Sequence, residues 1–114
     1  MFTIYHNPHC KKSRAGLNWL EEHQFDFKIV EYLKKPITEI EFKKLLVKLN
    51  VKASDLIRTQ ESIYKTQFKN KNFNEDEWVK IMLENPKLIK RPIIAAKLKA
   101  VIGDPIDNLE CFIK

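Results

Sequence analysis

Glycine is scarce in this chain, with two in 114 residues, and there are only five prolines. That excludes a loop-rich or low-complexity chain. No apolar run approaches the ~20 residues that a membrane-spanning helix needs. The chain opens directly on a strand-like run, with no apolar stretch of the kind a signal peptide carries. Two cysteines near opposite ends, Cys10 and Cys111, fit a reduced, cytoplasmic setting rather than a disulfide scaffold. The net charge is +6, but lysines alternate with glutamates and no single-sign block or basic stripe forms. Nucleic-acid binding is therefore not expected, while a small anionic substrate would exploit the same field.

What is present is enough for one domain, spanning residues 1–114, with a real core. Phe2 to Tyr5 reads as a strand and Lys11 to about Gln24 as a helix offering Leu17, Trp19 and Leu20 to that core. Phe27 to Tyr32 reads as a second strand, so the opening is a βαβ unit with parallel pairing. Thr38 and Glu41 have capping-box spacing ahead of Phe42, Leu45, Leu46 and Leu49, which recur with helical period. Ser54 or Asp55 is placed to cap a short turn carrying Leu56, Ile57 and Arg58. Asn74 starts a further helix that ends at Asn85-Pro86. Ile93 to Ala95 and Ala100 to Ile102 read as strands. Asp104-Pro105 pairs an N-cap with a proline at the first helical position. The order βαβ, helices, ββα predicts an α/β sandwich on a mixed sheet, with a helical insertion over about 38–85.

Chemistry concentrates in Tyr5-His6-Asn7-Pro8-His9-Cys10-Lys11-Lys12-Ser13-Arg14. Cys10 falls between a strand and a helix, where unpaired N–H groups and the positive end of the dipole favour a thiolate. Ser13, three residues on, is placed to donate to the sulfur through both hydroxyl and N–H. Activation alone contributes little. Lowering a thiol pKa from ~8.5 to ~6.5 raises the thiolate fraction at pH 7 from roughly 3% to roughly 76%. Intrinsic nucleophilicity falls roughly eightfold over the same span, leaving a gain of about threefold. Something must also hold the electrophile's charge.

Arginine suits that task, because its fork matches oxyanions and keeps its charge. The chain has three, Arg14, Arg58 and Arg91, against eighteen lysines. Arg58 follows Leu56-Ile57 and Arg91 stands at the mouth of a predicted strand, whereas Arg14 reads as a solvated helix residue. His6, four residues before Cys10, is placed to stabilise the thiolate. His6, His9 and Cys10 in one tight loop, without a distant partner motif, make a weak metal set, and no metal is expected. Cys111 reads as a packing residue.

His6-Asn7-Pro8-His9-Cys10-Lys11-Lys12-Ser13-Arg14 resembles the active-site loop of the glutaredoxin-dependent, ArsC-type arsenate reductases, of the form H-N-P-x-C-x-x-S-R. Tyr32-Leu33-Lys34-Lys35-Pro36 looks like the family's Y-L-x-x-P, and Leu56-Ile57-Arg58 like its L-[LI]-R. Asn85-Pro86-Lys87-Leu88-Ile89-Lys90-Arg91-Pro92-Ile93 looks like its H-P-x-L-I-x-R-P-I. The resemblance implies a thioredoxin-like fold in which Pro92 matches a cis proline. It implies that Cys10 attacks the arsenic of arsenate, that Arg58 and Arg91 hold the oxyanion, and that His6 and Ser13 tune the thiolate. Glutathione would resolve the adduct and glutaredoxin would regenerate the system, with no tightly bound cofactor; the protein itself is expected to be a monomer. The family's third arginine, just before a proline, corresponds here to Asp104 before Pro105, with Lys97 or Lys99 as candidate substitutes. Two alternatives stand beside this reading. One is a redox-linked transcriptional regulator of the same fold that binds RNA polymerase, although such regulators use a C-x-x-C pair and Ser13 occupies the second position. The other is a glutathione-dependent thiol oxidoreductase with another substrate.

Overall fold

The structure, a computed structural model, describes residues 1–113. It divides into two compact units: Met1–Lys35 together with the chain from Arg91 onward, and Pro36–Lys90. The second unit interrupts the first over a slightly longer span than the expected 38–85.

The first unit holds a four-stranded mixed sheet. β1 (Phe2–Tyr5), β2 (Phe27–Val30), β3 (Ile93–Ala95) and β4 (Ala100–Ile102) lie in the order β2-β1-β3-β4. β1 and β2 are parallel, joined through α1 (Lys11–Glu22), and β3 runs antiparallel to both β1 and β4. The helix ends two residues earlier than its sequence period suggests. His23 is its C-cap and Gln24 turns into the left-handed region at φ 58°. Likewise β2 stops at Val30 rather than Tyr32, because the chain turns at residues 32–34. Ser13, Gly16 and Leu20 form the buried stripe of α1, at helical spacing. Ile4, Leu20, Ile94 and Leu109 make the fully buried centre of the unit, with Phe2, Leu17, Trp19, Phe25, Phe27, Val101 and Phe112 packed around it.

The register decides which ends meet. Tyr5 pairs with Ile93, and Ile93 with Ile102. The segment after β1, the Arg91-Pro92 segment before β3 and the Gly103-Asp104 segment after β4 therefore emerge at one end of the sheet. The β3–β4 turn carrying Lys97 and Lys99 lies at the other end, beyond the Thr3–Ala95 pair. Neither lysine stands in for an arginine at the first end.

A further expectation is corrected here. Asp104 does not cap a helix. Pro105 is the N-cap of a 3-10 helix over Ile106–Phe112, and the Asp104 carboxylate pairs with Lys12 Nζ at 3.0 Å. Both Arg91-Pro92 and Asp104-Pro105 are cis.

In the second unit, α2 (Glu39–Leu49) is capped by Thr38, whose hydroxyl accepts the Glu41 N–H, and closes at Asn50 in the left-handed region. α3 (Glu75–Glu84) has the reciprocal Asn74–Glu77 capping box. Phe42, Leu45 and Leu46 of α2 and Val79 and Met82 of α3 are buried. Ser54 and Asp55 lie inside a 3-10 turn, Ala53–Leu56, instead of capping it. Asp55 accepts the Lys52 N–H. A π-turn over Tyr64–Phe68 precedes α3; no periodicity in the sequence announces it. Among the described residues, no helix is long and apolar enough to cross a membrane.

Candidate active site

Cys10 is the N-cap of α1, in extended conformation at φ −101° and ψ 123°. The loop that delivers it is tied at nearly every residue. The His6 N–H donates to Val30 O of β2, and the Cys10 N–H to Asn7 O at 3.0 Å. The Asn7 side-chain oxygen accepts the His9 N–H, and Arg14 Nη1 donates to Pro8 O at 2.9 Å. Arg14, read from sequence as a solvated residue, braces the loop.

Beneath the loop, Ser13 is fully buried. Its hydroxyl accepts the Asn7 N–H at 2.9 Å and lies 2.8 Å from His6 Nδ1. The expectation that this hydroxyl would serve the sulfur is not met, since Asn7 and His6 occupy it. The Ser13 backbone N–H does serve Cys10. His6 is buried as well. Burial lowers its pKa from the ordinary value; Glu31 opposes that and the charge of Arg14 reinforces it. His6 is tied into the loop through the Ser13 hydroxyl, 2.8 Å from its Nδ1.

The cation comes from Arg91, in the segment before β3. Burial pushes the Cys10 thiol up, but a hydrogen bond from the Arg91 side chain, the N–H groups of Ser13 and Lys12, and the Arg91 charge together outweigh it. The net shift is downward, towards the thiolate. Charge-assisted bonds of this kind are about twice as strong as neutral ones. Lys12 contributes its backbone to the sulfur and its ammonium to Asp104.

Arg58 belongs to the second unit. Its N–H donates to Leu88 O beside an antiparallel bridge between Ile57 and Ile89. Its guanidinium is mostly buried and paired with Glu61 at 2.7 Å. Cys111 is a half-buried free thiol on the 3-10 helix.

Three features of the site escaped sequence reasoning. Asn7 knots the loop from both its backbone and its side chain. The Lys12–Asp104 pair joins residues 92 positions apart, beyond any local pattern. The two glycines both press on Pro92, and only their scarcity hinted at that.

Residues 5–112 match the ArsC family model. An arsenate reductase of Neisseria meningitidis serogroup A is 37% identical over 94% of this chain and 93% of its own length. A solved arsenate reductase from Vibrio cholerae superposes with a TM-score of 0.87 at 32% identity, covering 94% of this chain and 92% of its own. The global transcriptional regulator Spx of Enterococcus faecalis is more distant, at 27% identity over 99% of this chain and 86% of its own.

Proposed function

This chain belongs to the ArsC family, and we propose that it is an arsenate reductase in which Cys10 is the nucleophile. The carrying observation is the Arg91 side chain hydrogen-bonded to a cysteine at the N-cap of a helix. That arrangement supplies a thiolate and, beside it, a fork-shaped cation suited to an oxyanion.

The Cys10 thiolate attacks As(V) and an arsenate oxygen leaves as water. Arg91, together with the N–H groups at the start of α1, offsets the charge on the remaining oxygens. Glutathione contributes the second thiol. The two thiols give up two electrons and become a mixed disulfide, while As(V) becomes As(III) and leaves as arsenite. Glutaredoxin and further glutathione return Cys10 to the thiol. This cycle needs no bound cofactor and suits a reducing compartment such as the cytoplasm.

His6 and the Ser13 hydroxyl position the loop, while the Ser13 N–H supports the Cys10 sulfur. Arg58 is the second arginine that the ArsC resemblance assigns to the oxyanion; its pairing with Glu61 keeps the guanidinium ordered. A raised KM for arsenate in Arg58→Ala, at unchanged thiol reactivity, is the outcome that assigns it. Asp104 is neutralised by Lys12, so its charge does not bar an anion from Cys10.

The test is formation of arsenite from arsenate with glutathione and glutaredoxin. Wild-type protein turns over, Cys10→Ser does not, and Cys111→Ser is unaffected. Absence of arsenite from a folded wild type, with Cys10 still forming a mixed disulfide with glutathione, would transfer the site to another substrate. The regulator reading has the Spx likeness in its favour, but a buried Ser13 with an engaged hydroxyl takes the place of the second switch cysteine.

A further inference from the structure

Both glycines of the chain meet the same atom. A Cβ built on Gly16, in the middle of α1, would lie 2.8 Å from Pro92 Cγ. One built on Gly103, just after β4, would also lie 2.8 Å from Pro92 Cγ. Real Cβ atoms do not come so close to a carbon, and a proline ring is not the loose end of a flexible side chain. Neither glycine adopts a positive φ, so conformational freedom is not why glycine stands there. Gly16 even carries a cost, because glycine inside a helix is less favourable than alanine. Close approach is what remains to explain both.

Pro92 is held on a third side too. Its carbonyl accepts the Gly103 N–H at 2.7 Å. The ring is buried, with Gly16 of α1 and Gly103 after β4 both close against its Cγ. The residue before it is Arg91.

We propose that Gly16 and Gly103 are positioning residues that clamp Pro92 from two sides and so fix Arg91 against the Cys10 sulfur. The proposal rests on the reading of Cys10 as the nucleophile but not on arsenate as the substrate. A methyl group at either glycine displaces Pro92, carries Arg91 with it and lengthens the bond to the sulfur. Charge-assisted bonds depend on distance and angle, so the thiolate loses support while the fold can remain.

The test is the rate of Cys10 alkylation by iodoacetamide from pH 5 to 10, in a Cys111→Ser background. Gly103→Ala and Gly16→Ala are expected to move the midpoint to higher pH. The rate at pH 7 falls by no more than about threefold, and the rate at high pH is retained or raised. In an Arg91→Ala background the same substitutions move the midpoint no further, because the clamp acts through Arg91. Where an alanine variant does not fold, Pro92→Ala is added to remove the clashing Cγ. Recovery of folding, with the midpoint of Pro92→Ala alone, supports the clamp. Folded glycine variants with the wild-type midpoint overturn it, as does a shift that persists without Arg91 or a failure to fold that persists without Pro92. If the midpoint shifts but no variant, wild type included, reduces arsenate, the clamp stands and the substrate reading falls.

Discussion

In the proposed reaction Arg91 serves two anions in turn, the Cys10 thiolate and then the oxyanion that the thiolate attacks. Arg91→Ala removes both services. It should raise the alkylation midpoint of Cys10 and lower kcat/KM for arsenate about 10²- to 10³-fold. Arg91→Lys keeps the charge without the fork, so it should restore the midpoint better than kcat/KM. Equal recovery of the two would contradict a role in binding the oxyanion. Asp104 works in the opposite sense, by occupying the Lys12 ammonium. The pair is about half exposed, and exposed pairs are worth about 0–1 kcal/mol. Asp104→Asn should therefore lower KM for arsenate by no more than about fivefold; a raised KM would show that Asp104 assists binding. At this scale the nucleophile was legible because Cys10 lies in a local pattern of strand end, polar loop and helix start. The uses of Ser13 and Asp104 were not, since each depends on a partner that only the folded loop or the sheet register brings near.

Among the elements, capping chemistry was the most readable feature. Thr38 and Asn74 both carry the sequence pattern of a helix start, and each side chain accepts an N–H three residues on, at 3.1 and 2.8 Å. Asn74→Ala removes one partner of a reciprocal box and should cost about 1 kcal/mol, read as a lower urea midpoint at unchanged slope. A change below the error of the fit would mean that the first turn of α3 is frayed in solution. The last helix departs from its sequence pattern for a physical reason. Asp104-Pro105 has the composition of a cap, but its carboxylate is drawn to Lys12 and the segment tightens to 3-10 geometry. The π-turn at Tyr64–Phe68 was illegible because its residues carry no apolar period; all five are exposed or half-exposed.

For the molecule as a whole, the sheet register gathers β1, β3 and β4 ends from distant parts of the chain, and the buried His6–Ser13 pair fixes the loop between them. Burial lowers the His6 pKa, so as pH falls the unfolded chain takes up a proton before the folded one does. Unfolded protein then binds more protons between the folded midpoint and the ordinary value near 6.5, and stability rises with pH across that window. Urea midpoints should thus increase from pH 5 towards 6.5 and level off above it, and His6→Gln should flatten that rise. An unchanged slope in His6→Gln would place the titrating group elsewhere. The central claim is that the Cys10 sulfur reacts with arsenate and is resolved by glutathione. Mass spectrometry of intact protein, incubated with glutathione and with or without arsenate in the Cys111→Ser background, tests it most directly. The account predicts a Cys10–glutathione disulfide that forms in the presence of arsenate and is lost in Cys10→Ser. Glutathione on Cys10 to the same extent without arsenate, or none with it, would contradict the account.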